Sequence, residues 1–265
     1  MGETKERILT MLPFAAFFDL DGTLAMHNQP PAAVDVEAMR AFRARGNYLF
    51  LCTGRSAGYL YPAVLDIGFD GIIAGAGAYV VLGEQLLYRT AVPNSVLLPI
   101  QRLFEQSSAT LIMETERNMV QLASPSAQKL VAAYPRIYTA AEWQERYGEE
   151  VTSKLTVYGE IPSAVLATSQ GALDVIQHPT YAELVPKGCS KSNGIQRMLT
   201  ALNLPREQSI AFGDSMNDYD MLEYVGIGVA MGNADERVKA IADRVTAPYD
   251  QGGIAQVLCE YLEKL

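Results

Sequence analysis

Two carboxylates separated by one residue, Asp19 and Asp21, follow a short apolar segment and precede Gly22. The apolar segment, residues 14–18, is typical of a strand that is buried on both faces, as in a parallel sheet. Side chains two residues apart on a strand point the same way, so both carboxylates can face one site. Two carboxylates so close are unfavourable unless a cation lies between them or one takes up a proton. The pair therefore indicates metal-ion or acid–base chemistry at the end of a strand.

Three further groups of polar residues stand at the ends of predicted strands or at the start of a predicted helix. They are Thr53 and Gly54 after a second buried strand, Lys191 before a helix, and Asp214, Asn217 and Asp218 after a later strand. Ligands of doubly wound sheets bind outside the carboxyl ends of the strands, so we expect all four groups at one site. Acids that offer only oxygen ligands suit a hard divalent cation, and Mg²⁺ is the first choice. The groups contain no histidine and thiolate set of the kind that zinc prefers.

Each of these residues also has a purely structural interpretation. Thr53 could cap a helix, Lys191 could be a solvated surface lysine, and Asp214 could interact with a helix dipole. These interpretations are each common when a residue is taken alone. They are much less common jointly, at four element ends in this order, and the sequence favours a functional site.

Strand-like and helix-like segments alternate along the first 80 residues and again after residue 187, which is typical of a parallel, doubly wound sheet. Between them, short strands and glycine turns indicate antiparallel pairing. The sequence therefore predicts an α/β fold: a doubly wound, Rossmann-like parallel sheet formed by residues 1–82 and 187–265, with an α+β domain inserted at 83–186. Within the insert we expect strands at 154–158, 173–177 and 181–185 and helices at 96–107, 126–134 and 163–169.

The amino-acid composition limits the classes of binding partner and the cellular compartment that we expect. The chain has 265 residues, 49% of them hydrophobic, and a formal net charge of −9. An acidic chain is a poor match for nucleic acid, which is bound by basic surfaces. The three cysteines are far apart in the sequence, which favours a reducing compartment. No apolar stretch reaches the roughly 20 residues needed to span a bilayer, and we expect a cytoplasmic protein that binds no membrane.

The polar groups together resemble the four motifs of the haloacid dehalogenase superfamily. They read DLDGT at 19–23, TGR at 53–55, Lys191, and GDSMND at 213–218. The segments VAMGNA at 229–234 and GGI at 252–254 resemble its Cof-type phosphatase branch, which carries a type IIB α/β cap between the second and third motifs. One departure is Ala76, where the branch usually has an asparagine.

This resemblance implies a magnesium-dependent phosphatase that hydrolyses small phosphorylated metabolites through an aspartyl-phosphate. Asp19 is then the nucleophile, and Asp21 is the general acid and base. The metal is held by Asp19, the backbone carbonyl of Asp21, Asp214 and Asp218, and the phosphate is held by Leu20, Thr53, Gly54, Lys191 and Asn217. The inserted cap reads the leaving group. The expected partner is a phosphorylated small molecule, and the chain is expected to be a monomer or a weak homodimer.

Other functions share these motifs. A phosphomutase of the same superfamily would carry all of them, and a non-catalytic regulator could bind a phosphometabolite on the same scaffold. A haloacid dehalogenase would use the same aspartate as nucleophile, but it has no need of a phosphate-binding metal, and Asp21 argues against it. The sequence leaves the substrate open between sugar phosphates and cofactor phosphates, such as those of flavin or pyridoxal.

Overall fold

The structure of the protein, a computed structural model, describes residues 12–178 and 180–264. Residues 1–11 and 265, which the sequence prediction assigns to the core domain, lie outside this range. The described chain divides into two compact units. The first contains residues 12–54, 60–88 and 190–264, and the second contains residues 55–59 and 89–189 with the exception of residue 179.

The strands, in chain order, are β1 (Ala15–Phe18), β2 (Tyr48–Cys52), β3 (Gly71–Ala74), β4 (Tyr79–Leu82), β5 (Gln85–Arg89), β6 (Thr110–Thr115), β7 (Met119–Leu122), β8 (Arg136–Ile137), β9 (Thr152–Tyr158), β10 (Leu173–Gln177), β11 (Tyr181–Pro186), β12 (Ser209–Gly213), β13 (Ile227–Ala230) and β14 (Arg244–Val245).

The α-helices are α1 (Ala33–Ala44), α2 (Pro62–Leu65), α3 (Asn94–Phe104), α4 (Ala140–Tyr147), α5 (Ser163–Ser169), α6 (Lys191–Ala201), α7 (Tyr219–Tyr224), α8 (Glu236–Lys239) and α9 (Gly253–Lys264). Short 3₁₀ segments lie at Ala57–Tyr59, Gly75–Gly77, Arg206–Gln208 and Met216–Asp218. Within the described chain, no helix combines the length and the apolar character that crossing a membrane requires.

The first sheet has the strand order β14-β13-β12-β1-β2-β3-β4-β5. The neighbouring strands β14, β13, β12, β1, β2 and β3 are all parallel to one another, whereas β4 is antiparallel to β3. The central strand β1 therefore has parallel neighbours on both sides, with Phe17 opposite Phe50 of β2 and Ala211 of β12. The prediction of an α/β fold with a mainly parallel core sheet is confirmed.

Both faces of this sheet are buried, which explains why β1 is apolar throughout. On one face Phe18 stacks on Phe212, with ring centroids 5.1 Å apart, and α1 and α9 pack over them. On the other face Phe17 stacks on Phe50 at 5.0 Å, beneath α6 and α7. Because helices cover both faces, the site can open only at the ends of the strands.

The second unit contains a mixed sheet with the strand order β10-β11-β9-β6-β7-β8, in which β7 and β8 form the only parallel pair among the described strands. One face packs on α3, α4 and α5 through side chains such as Met113, Leu155 and Phe104. The residues that alternate with these along β6 and β9, such as Glu114 and Lys154, are polar and point to the other face of the sheet. The prediction of an α+β insert with antiparallel strands is confirmed at the level of fold.

One predicted helix is absent: residues 126–134 form turns rather than a helix. The side chain of Gln121 explains the difference, because its Nε2 donates to the carbonyl oxygens of Val131 (2.8 Å) and Tyr134 (2.7 Å). Its Oε1 accepts from the Val131 amide at 3.1 Å. A side chain thus satisfies backbone groups that a helix would have paired internally.

The limits of the compact units differ in detail from the predicted domain limits. Strand β5 extends the first sheet beyond β4, so residues 85–88 belong to the first unit. The segment Ala57–Tyr59 belongs to the second unit, although it lies early in the chain. The assignment of 83–186 as a domain that selects the substrate concerns function and stays a prediction.

Candidate active site

Three adjacent parallel strands, β12, β1 and β2, are each followed by a polar residue at the same edge of the sheet. Asp19 follows β1 and its amide donates to the Phe212 carbonyl at 3.0 Å, while Thr53 follows β2 and its amide donates to the Ile73 carbonyl at 2.8 Å. Asp214 follows β12. The parallel register therefore places the three strand ends together, as the sequence predicts.

Three carboxylates converge at this edge. One oxygen atom each of Asp19, Asp214 and Asp218 lies within 4.8 Å of the others. Burial, together with the charge of Asp218, raises the pKa of Asp19 well above its usual value and that of Asp214 to about 7. Three carboxylate oxygens held at this spacing fit a hard divalent cation such as Mg²⁺.

Lys191 is the buried cation of this group. Its Nζ donates to Oδ1 of Asp19 and to Oδ1 of Asp218, each at 2.5 Å, and the residue is 1% exposed. Burial lowers the pKa of the ammonium, but the two carboxylates outweigh burial and hold the pKa well above its usual value. If all three carboxylates are ionised, one lysine leaves two negative charges unbalanced, which equals the charge of one divalent cation.

The start of helix α6 fixes Lys191. Ser190 is the N-cap, and its Oγ accepts from the Asn193 amide at 3.2 Å. Asp220 accepts from the Ser192 amide at 2.9 Å, which fastens the same turn of helix to the region after β12. Gly77 packs so closely on this turn that a Cβ there would lie 2.2 Å from the Ser190 carbonyl oxygen. Lys191 is thus held by backbone contacts as well as by its two ion pairs.

Asp218 organises the loop after β12. Its Oδ2 accepts from the amides of Asp214 and Ser215, both at 3.0 Å, while its Oδ1 accepts from Lys191. Asn217 is oriented by Ser215, whose hydroxyl donates to Oδ1 of Asn217 at 2.7 Å. This bond turns Nδ2 of Asn217 toward Gly54, where a Cβ would lie 3.5 Å from it. An amide donor and a glycine are therefore neighbours beside the carboxylates.

The segment after β1 contributes Asp21, whose side chain lies at the surface outside the three-carboxylate group. Gly22 follows with φ +88°, and its Cα packs directly on the Asp214 carboxylate. Thr23 donates through Oγ1 to Oδ1 of Asp214 at 3.1 Å. Leu20 is buried, and its carbonyl accepts from the Leu24 amide at 3.1 Å, which makes a tight turn.

The structure adds two residues whose roles the sequence did not suggest. Thr23 holds Asp214, and Asn233 donates through Nδ2 to the Gly22 carbonyl at 2.8 Å. Both lie in segments that resemble the haloacid dehalogenase superfamily, residues 19–23 and 229–234. Their partners lie about 200 residues away in the chain, and a single sequence contains no sign of such a pairing.

The fold and the site define a class of hydrolase with strand-end carboxylates and a second, mixed-sheet unit. A sequence model of the family described as haloacid dehalogenase-like hydrolase matches residues 16–258, and the chain belongs to this family. It is a phosphatase of the Cof-type group with a subclass IIB cap.

Three relatives illustrate the match. The Bacillus subtilis protein YkrA is 30% identical over 254 residues, which cover 92% of this chain and 96% of YkrA. The 5-amino-6-(5-phospho-D-ribitylamino)uracil phosphatase YitU of Bacillus subtilis is 29% identical in an alignment that covers 94% of this chain and 97% of YitU. The solved structure of the subclass IIB sugar phosphatase BT4131 is similar with a TM-score of 0.76 and 29% identity, over 94% of this chain and 98% of that one.

Proposed function

We propose that this phosphatase is magnesium-dependent and releases inorganic phosphate from small phosphorylated metabolites through an aspartyl-phosphate formed on Asp19. The observation that carries the proposal is the convergence of Asp19, Asp214 and Asp218 around the buried ammonium of Lys191. A buried carboxylate whose orientation is fixed by a lysine has the properties of a positioned nucleophile.

The reaction proceeds in two displacements. An oxygen of the Asp19 carboxylate, in its ionised form beside the Lys191 ammonium, forms a bond to phosphorus as the ester P–O bond breaks. Asp21 gives its proton to the departing alkoxide. Asp21 then accepts a proton from water as the water oxygen bonds to phosphorus and the bond between phosphorus and the Asp19 oxygen breaks, which releases phosphate and regenerates the Asp19 carboxylate. The surface position of Asp21 suits an acid that must meet both leaving group and water.

Asp19, Asp214, Asp218 and the backbone carbonyl of Asp21 are the groups that would hold Mg²⁺. The bound cation supplies positive charge that offsets the repulsion between the phosphate and the carboxylates. Thr23 supports this role by holding Oδ1 of Asp214, while the two amide bonds to Asp218 keep that carboxylate close to the other two.

Phosphate binding is assigned to the Thr53 hydroxyl, the amides of Leu20 and Gly54, Nδ2 of Asn217, and Lys191. The support is geometric: Ser215 turns the Asn217 amide toward Gly54, and Lys191 lies at the nucleophile itself. Donors fixed before the reaction stabilise the charge that develops on the phosphoryl oxygens without reorganisation.

For the substrate class we propose sugar phosphates or phosphorylated intermediates of cofactor pathways, selected by residues of the insert at 83–186. The relatives support this range, because YitU acts on a phosphoribitylaminouracil and BT4131 is a sugar phosphatase. Both substrates named in those descriptions are small, polar phosphate esters. A panel of phosphorylated sugars and cofactors, assayed for phosphate release with Mg²⁺, would rank the candidates.

The catalytic proposal is tested with Asp19→Asn, which keeps the shape of the side chain but cannot form the acyl-phosphate. We expect no measurable release of phosphate from 4-nitrophenyl phosphate with Mg²⁺, while the far-UV circular dichroism spectrum is unchanged. Asp250→Asn makes the same chemical change at an exposed turn and serves as the control. Turnover by Asp19→Asn at the rate of the unsubstituted protein would refute the assignment, and activity that survives EDTA would refute the metal requirement.

A further inference from the structure

Asn233 joins the segment that carries Asp21 to a different part of the first unit. Its Nδ2 donates to the Gly22 carbonyl at 2.8 Å, and its Oδ1 accepts from the Tyr249 amide at 3.0 Å. The side chain thus uses a donor and an acceptor on two segments that are distant in sequence. These two partners also fix which end of the Asn233 amide faces Gly22.

The loop at 231–235 that bears Asn233 is itself anchored to the end of β12. The Met231 amide donates to the Gly213 carbonyl at 2.9 Å, and the Asp235 amide donates to the Asp214 carbonyl, also at 2.9 Å. The Gly232 amide donates to the Ala247 carbonyl at 3.2 Å. Asn233 therefore projects from a backbone that is fixed relative to Asp214, and its side chain can hold Gly22 in a fixed position relative to Asp214.

Gly22 is a residue that needs such a restraint. Its φ of +88° lies where glycine is permissive, and glycine readily leaves any one conformation. Its neighbour Asp21 lies at the surface. A change in the backbone at Gly22 would redirect the Asp21 side chain, because the two share a peptide bond. The carbonyl of Gly22 is the group that Asn233 holds.

We propose that Asn233 is a positioning residue for Asp21: by holding the Gly22 carbonyl, it keeps the carboxyl group of Asp21 aligned with the leaving-group oxygen. The inference rests on the proposed function, in which Asp21 is the general acid, and it adds a residue outside the four motifs to that step. Misplacement of a catalytic group by about 1 Å can cost about 10²-fold in rate.

The first test compares leaving groups. An alkyl ester such as glycerol 2-phosphate needs a proton on the departing oxygen, whereas 2,4-dinitrophenyl phosphate releases a stable phenolate without one. We expect Asn233→Ala to lower kcat/KM, which reports the first displacement alone, about 10–100-fold more on the alkyl ester than on the dinitrophenyl ester, as part of the roughly 10²–10⁴-fold that acid–base catalysis supplies. An equal loss on both esters, or no loss on either, would overturn the proposal.

Two further variants sharpen this test. Asn233→Asp keeps an acceptor for the Tyr249 amide but removes the donor to Gly22, so it should show the same selectivity as Asn233→Ala. Thr246→Val removes the bond from Thr246 Oγ1 to the Gly253 carbonyl (2.7 Å) in the neighbouring loop and leaves the Gly22 contact intact. This variant should lower activity on the two esters equally or leave it unchanged. A larger loss on the alkyl ester in Thr246→Val would contradict the specific role of Asn233 in positioning Asp21.

The second test does not depend on activity. Amide hydrogen exchange should become about 5–10-fold faster in the segment 19–25 of Asn233→Ala, because one hydrogen bond that restrains the turn is lost. The reporters are the amides of Gly22, Leu24 and Ala25, which are hydrogen-bonded within the turn. The amides of β12 should be unaffected, which shows that the variant is folded. Unchanged exchange at 19–25 would refute the proposal.

The failure of the proposed function would look different. Asp21→Asn should show the same leaving-group selectivity as Asn233→Ala, only larger. If Asp21→Asn lowered both activities equally, the acid role of Asp21 would be wrong. Faster exchange at 19–25 in Asn233→Ala would still show that Asn233 holds the turn, whereas unchanged exchange would refute the positioning role itself.

Discussion

Gly22 and Asp214 are in such close contact that a Cβ atom on Gly22 would lie 2.3 Å from Oδ2 of Asp214. The glycine of the first motif therefore has two physical requirements at once: a positive φ and the absence of a side chain. The contact places the backbone next to Asp21 directly against a carboxylate of the three-carboxylate group. This contact therefore links the position of the acid to the geometry of the metal site.

We expect Gly22→Ala to weaken both activity and metal binding. The new methyl group must displace the Asp214 carboxylate, which would also break the bond from Thr23. We expect phosphate release to fall about 10²-fold or more, since misalignment of about 1 Å has effects of that size. The apparent Mg²⁺ affinity, from a titration of activity, should fall as well.

Gly46→Ala is the matched control for this variant. Gly46 has φ +87°, nearly the value at Gly22, but among the described residues, its two chain neighbours aside, no atom lies within 4 Å of the position of its Cβ. Alanine at residue 46 thus carries the backbone strain of a positive φ without the clash, and it should lower only the free energy of unfolding, by about 1–2 kcal/mol. Equal effects of the two substitutions on Mg²⁺ affinity would contradict the role assigned to the contact.

Asp214→Asn should change the pH dependence of stability in EDTA. Burial, followed by the charge of Asp218, raises the pKa of Asp214 to about 7 in the folded state, from 3.8. The folded protein thus binds the proton more tightly, and this contribution to stability is present below pH 4 and lost as the pH rises to about 7. Asparagine does not titrate. Relative to the unsubstituted protein, the variant should gain about 1–3 kcal/mol in unfolding free energy between pH 4.5 and pH 8.

Urea unfolding at several pH values, in EDTA and in saturating Mg²⁺, measures this effect. In Mg²⁺ the unsubstituted protein should recover the difference, because the cation binds the folded state and stabilises it. Asp250→Asn, at an exposed turn, controls for the loss of one negative charge. If the difference between Asp214→Asn and the unsubstituted protein did not vary with pH, the raised pKa would be wrong.

The sequence predicted the core of the site because of a strong local contrast. Buried parallel strands are apolar throughout, so the polar residues Asp19, Thr53 and Asp214 stand out at the points where they end. The parallel topology then places the ends together. The sequence places Lys191 just before a helix, whereas the structure makes it the first residue of α6, and its two ion pairs are visible only in the structure.

What the sequence could not predict depends on contacts between distant segments. The bonds of Thr23 to Asp214 and of Asn233 to Gly22 join residues with no local pattern in common. The segment 126–134 has the composition of a helix, but its backbone is held by the side chain of Gln121. In each case hydrogen bonds from a side chain outside the segment set the local geometry.

Lys154→Met should destabilise the second unit. Lys154 lies opposite Glu114 in the β6–β9 register, forms an ion pair with it at 3.3 Å, and also contacts Glu183 of β11. These groups are largely buried, and methionine would leave two carboxylates without their cation. Removing one partner of a buried ion pair costs about 3–5 kcal/mol. Urea unfolding followed by the fluorescence of Trp143, the only tryptophan, reports this unit because Trp143 lies in its core.

The acid dependence of the same signal gives a second check. Burial raises the pKa of Glu183, but Lys154 and His178 outweigh it and lower the pKa to about 2, from 4.5. Its stabilising contribution is therefore present above pH 4.5 and lost as the pH falls toward 2. We expect this loss to be smaller in Lys154→Met. Lys187→Met, which replaces an exposed lysine of the same unit, should behave like the unsubstituted protein. Identical acid profiles for all three would count against the buried network.

Ala76→Asn should stabilise the protein. Ala76 has φ +52° and ψ +41° between Gly75 and Gly77, which also have positive φ, and its amide donates to the Thr53 carbonyl at 3.1 Å. An L-residue with a Cβ pays roughly 1–2 kcal/mol for this left-handed conformation, whereas asparagine tolerates it. We expect Ala76→Asn to raise the free energy of unfolding by about 0.5–1 kcal/mol. Ala76→Gly should gain less, because glycine also increases the entropy of the unfolded chain.

The control is the same substitution, alanine to asparagine, at a residue with a right-handed helical backbone. Ala44 is the last residue of α1 and is exposed, and alanine is the best helix former, so Ala44→Asn should lower the free energy of unfolding by about 0.5 kcal/mol. Urea unfolding followed by far-UV circular dichroism measures all three variants. Opposite signs for Ala76→Asn and Ala44→Asn would locate strain in the turn whose Ala76 amide donates to the Thr53 carbonyl. A loss of stability in Ala76→Asn similar to that in Ala44→Asn would mean that alanine is not strained there, and that the asparagine usual in the Cof-type branch is kept for another reason.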